Sequence, residues 1–215
     1  MTDLVALAKT SHLVKHFDGS VIPDEKIAIL RALLHSAPSS FNIQATHYVI
    51  AASAAARGRI AKSVVELNEV KIQTASHVLV FASRIALTKA HMEAVAAQEH
   101  SDGRFPTADL ESRWRELVHR GLLAHEEHLM DMPHWIEKQT YLALGIALMT
   151  AAELGIDALP MEGFDSNTLD EELGLRKMNY RSTVLLALGR QSPTDYIIKS
   201  PKSRLPETRL FTILE

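Results

Sequence analysis

The chain contains no cysteine. That absence excludes a disulfide-stapled scaffold, thiolate zinc or iron–sulfur sites, and a cysteine nucleophile. Neither sign of charge dominates. Lys and Arg number 23 against 26 Asp and Glu, a net charge of −3, so no basic field exists to hold nucleic acid or an anionic lipid surface. Long apolar runs are also missing. The apolar stretch Gln139 to Ala152 runs for 14 residues without a charged side chain. A membrane span needs about 18, so this stretch reads as a buried core helix. Asp3 and Lys9 interrupt the first segment, which argues against a secretory signal. The expectation is a soluble, cytoplasmic protein with no nucleic-acid and no membrane partner. Several catalytic signatures are lacking too: Gly-x-Gly-x-x-Gly, the Walker A sequence, Gly-x-Ser-x-Gly and His-Glu-x-x-His. His119, His125, His128 and His134 cluster, but Glu116–His119 is a lone Glu-x-x-His, whereas a di-iron bundle needs two such pairs. No metal site is expected.

The residues present are those of an ordinary globular domain. Hydrophobic residues make up 47% and charged residues 23%, and no repeat or Gly/Ser linker divides the chain, so one domain is expected. Residues 23–36 read as a helix with Ile27, Leu30, Leu33 and Leu34 on one face and Asp24 and Glu25 in the first turn. Residues 46–53 alternate like a strand, and 55–68 read as helix. Residues 77–83 and 182–189 are short apolar runs with the composition of buried strands. Helices are expected over 85–100, 107–130 and 134–154, the last with Pro133 near its start and Gly155 as its stop. The two prolines of SPKSRLPETRLFTILE forbid a continuous helix, leaving an extended arm that ends in a strand-like LFTIL. High helix content with three or four strands means α+β, or a three-layer sandwich.

Four segments carry candidate chemistry. The loop 37–44 offers Pro38, Ser39, Ser40 and Asn42, whose hydroxyls, amide and backbone N–H groups suit a polar ring or a phosphate. It reads equally as a helix-ending turn. Asn68 and Lys71, three apart in a helical segment, share a face and could read an imide edge while neutralising an anionic ring; a solvated face has the same pattern. The turn at Glu162–Gly163 could present backbone donors, with Gly allowing close approach. Lys202 and Arg204 in the arm suit a phosphate, or serve only as a solubilising tail.

Taken in order, SAPSSFNIQATH (36–47), NEVKIQTASHVLVF (68–81), AQEHSDGRF (97–105), HWIEKQTYLALG (134–145), LGIDALPMEGFD (154–165) and KSPKSRLP (199–206) resemble the FMN-dependent nitroreductase family. The closer likeness is to the branch of oxygen-insensitive NAD(P)H nitroreductases and dihydropteridine or flavin reductases, over essentially the full length. The resemblance implies one FMN-binding domain over 1–215, an α+β three-layer sandwich with a mixed central sheet flanked by helices. About 200–215 would form an arm exchanged in a homodimer with FMN at the interface. It implies hydride transfer from NADH or NADPH through FMN, by a ping-pong mechanism, to a small-molecule acceptor: a nitroaromatic, quinone, flavin or pteridine. A flavin-binding carrier or sensor with little turnover is the alternative. By resemblance, Lys15 and Lys71 support the ring's anionic edge and Asn68 reads its polar edge. Glu162–Gly163 faces N5, Lys202 and Arg204 clamp the phosphate, and Pro38, Ser39, Ser40 and Asn42 come from the second subunit. Phe41, Arg104 and Gly121, with Lys15 and Lys71, match positions near the nicotinamide or acceptor. No side chain need act as acid or base, because the cofactor carries the chemistry. Ser11, where the pattern has an arginine, and His12 fall at the phosphate-binding segment. Leu13 replaces a serine, Ala45-Thr46 replaces Pro-Trp, Gly121 stands where an aromatic lid commonly falls, and Phe41 replaces a small polar residue.

Overall fold

The computed structural model describes residues 3–10 and 14–214; Ser11, His12 and Leu13 lie outside the described residues. Helix α1 spans Leu4–Thr10 and α2 Asp24–His35. Strand β1 (Thr46–Ala51) is followed by α3 (Ala54–Ala61), α4 (Glu66–Thr74) and β2 (His77–Arg84). Next come α5 (Lys89–Ser101), α6 (Ala108–Leu123) and α7 (Met132–Glu153). The chain closes with β3 (Asp157–Met161), α8 (Ser166–Leu173) and β4 (Tyr180–Gly189).

The sheet order is β1-β2-β4-β3. Strands β2 and β4 are central, and side chains on both of their faces are buried. Leu79, Phe81, Leu186 and Leu188 point to one side, against Leu30 and Leu34 of α2 and Ala147 of α7. Val78, Val80, Leu185 and Ala187 point to the other, against Ile60 of α3, Ile72 of α4 and Leu169 of α8. The alternation is the strand's period of two. Because helices cover both faces, each strand reads as an unbroken apolar run, and the result is the expected α+β three-layer sandwich.

The sheet departs from expectation in one respect. Every pairing among the described residues is antiparallel, where a mixed sheet was expected. Strand β2 separates β1 from β4 and strand β4 separates β2 from β3, so strands that share a direction are never neighbours. The strand-like ending is not a strand either. Residues 200–214 are exposed throughout, with one short 3₁₀ turn at Glu207–Arg209, because they lie along no sheet edge of their own chain.

Other differences have local causes. The helix expected over 55–68 is two helices. Between them Ser63 turns back to Ile60 O through its N–H (3.0 Å) and Oγ (2.7 Å), and Val64 pairs as a β-bridge with Phe164; a tertiary pairing overrides helix propensity. The 107–130 helix ends at Leu123 in a π-turn over Ala124–His128. Gly155 stops α7 in the left-handed region, φ 64°. Leu33, read with the core face of α2, is exposed beside Ile29, while Ile27, Leu30 and Leu34 are buried. The Gln139–Ala152 run, read as wholly buried, exposes Tyr141, Leu142 and Met149. No helix among the described residues is long and apolar enough to cross a membrane. Strand β3 and helices α1 and α8 were not anticipated. Asp165 caps α8 by accepting from Thr168 N at 2.9 Å.

Beyond β4 the chain continues as an anchor. Gln191 bridges to Phe17, and Asp18 N and Ser192 N close hydrogen bonds to Arg190 O and His16 O, each at 2.9 Å. Phe17 is buried, and its ring occupies the space a side chain at Gly189 would need: a Cβ there would stand 2.5 Å from Phe17 Cδ1 and 3.0 Å from Cγ. Gly189→Ala is therefore expected to destabilise the fold by about 1–3 kcal/mol through overpacking. A urea midpoint lowered at unchanged slope checks this.

Candidate functional site

Three chain segments meet at one polar group. The α3–α4 break lets α4 start beside the turn that follows β3. There Asn68 Nδ2 donates to Gly163 O at 3.1 Å, and Lys71 Nζ donates to Asn68 Oδ1 at 2.7 Å. The turn is tight, with Phe164 N on Glu162 O at 3.0 Å, and is tied to the helix break by Asp165 N on Ser63 O at 2.7 Å. Gly163 lets the amide sit close: an added Cβ would lie 2.9 Å from Asn68 Nδ2, so the Asn68 side chain would have to shift. Among the described residues its N–H has no hydrogen-bond partner.

The third segment carries Lys15. Its backbone N–H and that of His16 donate to Asp195 Oδ2 at 2.8 and 3.2 Å, and Gln191 Nε2 adds a bond at 3.1 Å. Ile197 N donates to Asp195 Oδ1. Burial alone would raise the Asp195 pKa, but these four donors outweigh it and hold the carboxyl below its ordinary value. The Lys71 pKa is lowered, first by burial and then by the neighbouring Lys15 cation. Among the described residues neither lysine forms an ion pair with a carboxylate. Two cations that disfavour each other, beside an amide and a free backbone donor, form a site complementary to an anion. On the rim, Tyr141 Oη donates to Glu162 Oε1 at 2.5 Å, and its pKa is pushed up to about 12 by burial and then by the glutamate.

The loop after α2 forms a second group. Pro38 and Ser39, with Gln44, Thr46 and Gln139, line a cavity of about 650 Å³ between α2, β1 and α7. Ser39 Oγ accepts from Gln44 N at 3.0 Å, and Ser40 N donates to Gln139 Oε1 at 2.9 Å. Asn42 turns away from that cavity and donates through Nδ2 to Glu99 Oε1 at 2.9 Å. Phe41, at φ 49°, packs its ring on Gly121, where a Cβ would stand 2.5 Å from its Cε2. Arg104 faces the buried Glu99 at 3.3 Å and lies over Trp114.

Within one chain, Asn68, Lys71 and Gly163 are therefore joined by hydrogen bonds, and Lys15 lies near enough for its charge to lower the Lys71 pKa. The loop residues Pro38, Ser39, Ser40 and Asn42 gather elsewhere, and no hydrogen bond or ion pair among the described residues joins the two groups. Lys202 Nζ donates to Ala8 O at 2.5 Å, and Arg204 donates to Ser203 O at 2.6 Å on the exposed arm. The proposed roles of Ser11 and His12 fall outside the described residues. Of the clustered histidines, His125 is stacked on Trp135 with centroids 4.0 Å apart and bonded to Asp131. Sequence reading missed Asp195, Tyr141 and Glu99. Glu99 lies inside the AQEHSDGRF segment, and only its burial marks it as a clamp. Asp195 carries no local signal.

A layered sandwich that holds two lysines, an amide and a free backbone donor near one another beside its sheet sets up a local arrangement that favours an anion. Residues 9–190 match the Nitroreductase family, and the chain belongs to it. It is 38% identical to the oxygen-insensitive NAD(P)H nitroreductase of Salmonella typhimurium, over 97% of this chain and 98% of that one. It is 36% identical to the enzyme of the same description from Enterobacter cloacae, over 98% and 99% of the two chains. The fold is shared with a nitroreductase from Exiguobacterium sibiricum solved in complex with FMN, at a TM-score of 0.82 and 20% identity, covering 100% of this chain and 98% of that one.

The Asp195 clamp carries a pH dependence. A carboxyl whose pKa is lowered in the folded state stabilises the fold fully above its unfolded value, near 4, and loses that contribution as pH falls through the lower folded value. Asp195→Asn is expected to cost about 1–3 kcal/mol at pH 7. The difference in melting temperature from wild type should shrink as pH drops below 4. A difference that stays constant to pH 2.5 would show that charge plays no part.

Proposed function

We propose that this protein is an FMN-dependent NAD(P)H oxidoreductase acting on nitroaromatic, quinone, flavin or pteridine acceptors. The observation that carries the reading is the convergence of Lys15 and Lys71, without a carboxylate between them, beside Asn68 and the free Gly163 N–H. The residues fit an isoalloxazine edge: an amide to read it, a backbone donor, and cations to offset its charge. The names of the relatives and the FMN held by the structural neighbour support the same reading.

FMN, bound here, would supply two-electron hydride chemistry linking NAD(P)H to the acceptor in ping-pong order. The chain's contribution is electrostatic. Lys15 and Lys71 would favour negative charge on a bound flavin ring, and Asn68 and Lys71 are held beforehand by hydrogen bonds, so little reorganisation would be needed. Asn68 is held at both ends, by Gly163 O and Lys71 Nζ, so its orientation is set. Glu162 and Gly163 hold the turn that meets the ring, and Lys202 and Arg204, with Ser11 and His12, serve the phosphate. Arg104 serves the nicotinamide nucleotide.

The reading includes a homodimer in the cytoplasm, where NAD(P)H is regenerated. The whole chain acts as one domain with 200–215 as its exchanged arm, and the loop at Pro38–Asn42 of one protomer faces the lysines of its partner. Its support is the uncovered apolar surface: Ile29 and Leu33 of α2, Leu142 and Met149 of α7, and Ile213 and Leu214 of the arm, the last two 85% and 90% exposed.

Purified protein should be yellow and should bleach anaerobically with NAD(P)H. Yellow protein that does not bleach would be a flavin carrier instead. Lys71→Ala should lower the two-electron midpoint potential of bound FMN by roughly 30 mV or more, equivalent to about 1.4 kcal/mol or more. An unchanged midpoint with FMN retained would leave Lys71 an ordinary surface residue. Deleting residues 200–215 should abolish FMN binding together with the dimer. A truncated chain that remains dimeric and yellow in size-exclusion chromatography would refute the arm's role.

A further inference from the structure

Helix α6 lays an apolar face over α5 without a packed core between them. None of the residues of α6 is buried. The space beneath is a cavity of about 630 Å³ lined by Phe41, Met92, Trp114, Val118 and Leu122, with Glu99 at its inner end. That volume lies in the range of small-molecule sites.

Most of the charged groups around it are paired within the protein. Glu99 accepts from Asn42 Nδ2 at 2.9 Å and Trp114 Nε1 at 3.3 Å and pairs with Arg104. Lys89 pairs with Glu93, and Arg115 with Glu111. Glu126, without an ion pair among the described residues, leaves the lining slightly negative. His119 also lines the cavity, whose aromatic faces and adaptable thioether surface, with Lys89 and Arg115 already paired, favour an uncharged, apolar, flat molecule.

Phe41 ties the cavity to the loop of Ser39, Ser40 and Asn42. Its ring forms a wall because residue 121 has no side chain, and a bulky residue at φ 49° is a strained backbone state. The strain is held by Asn42 on Glu99 and Ser40 on Gln139. The ring makes edge contacts with Trp114 and Trp135, centroids 6.2 and 6.3 Å away.

We infer that the α5–α6 cavity is a second binding site, an annex that takes the apolar substituent of an uncharged aromatic acceptor, with Phe41 seated on Gly121 as one of its walls; that the annex adjoins the reaction site rests on the proposed homodimer, in which this loop faces the partner's lysines. The inference rests on the oxidoreductase reading for the word acceptor; the ligand class follows from the lining alone.

The test uses the FMN-loaded protein and two probes, 1,4-benzoquinone and 2-methyl-3-prenyl-1,4-naphthoquinone. In equilibrium dialysis without NAD(P)H, Val118→Trp, which fills the annex, should weaken binding of the prenylated quinone at least tenfold. In turnover, it should lower the kcat/KM ratio of the prenylated quinone over benzoquinone by a similar factor. Met92→Ala, which enlarges the annex and serves should Val118→Trp fold poorly, should raise that ratio at least threefold. Unchanged dialysis affinity in Val118→Trp, or a ratio that moves in neither variant, would overturn the annex. Failure of wild-type flavin to bleach with NAD(P)H would instead remove the redox reading, while dialysis would still judge the cavity.

Discussion

Strand β4 is the constraint on which the site depends. It is buried on both faces, and it carries both halves of the cation pocket. On one edge it pairs with β3, whose last residue, Met161, lies two residues before Gly163. At its end it continues into Gln191 and Asp195, which hold the segment of Phe17 and Lys15. Two lysines repel when brought together, and only a frame that cannot yield keeps them so. The desolvation and repulsion lowering the Lys71 pKa are sustained by the packing of Leu185, Ala187 and their neighbours against α3, α4 and α8. Part of the stability of the core is thereby spent on a local arrangement that favours an anion.

The layers were legible because strands buried on both faces leave unbroken apolar runs, as at 77–83 and 182–189. The helix at 23–36 announced itself by spacing and acidic first-turn residues. The break at 62–65 was not legible: Val64 abandons helix for a bridge to Phe164, about a hundred residues away, and no local pattern encodes that partner. The short strand Asp157–Met161 was hidden because Pro160 and Met161 open the PMEGFD segment, which reads as a turn. Asn68, Lys71 and Gly163 could be named from spacing and resemblance, and they do meet. Their mutual hydrogen bonds, and the dependence of Lys15 on Asp195, are products of tertiary folding alone.

Glu99 shows how a buried charge organises a region that has little core of its own. Its two oxygens receive an amide, an indole and a guanidinium from three different segments. Removing one partner of such a group leaves the others with an unsatisfied charge. The loop after α2, the turn at Arg104 and helix α6 thus share one fate, although few apolar contacts join them.

The seating of Phe41 on Gly121 also restricts the order in which this region can change over generations. A side chain appearing at 121 while Phe41 is present would meet its ring at 2.5 Å, so the ring would have to move first. A smaller residue at 41 leaves a gap that a later, larger residue at 121 can occupy. The order of the two changes therefore matters: the path through 41 meets no clash, and the path through 121 does.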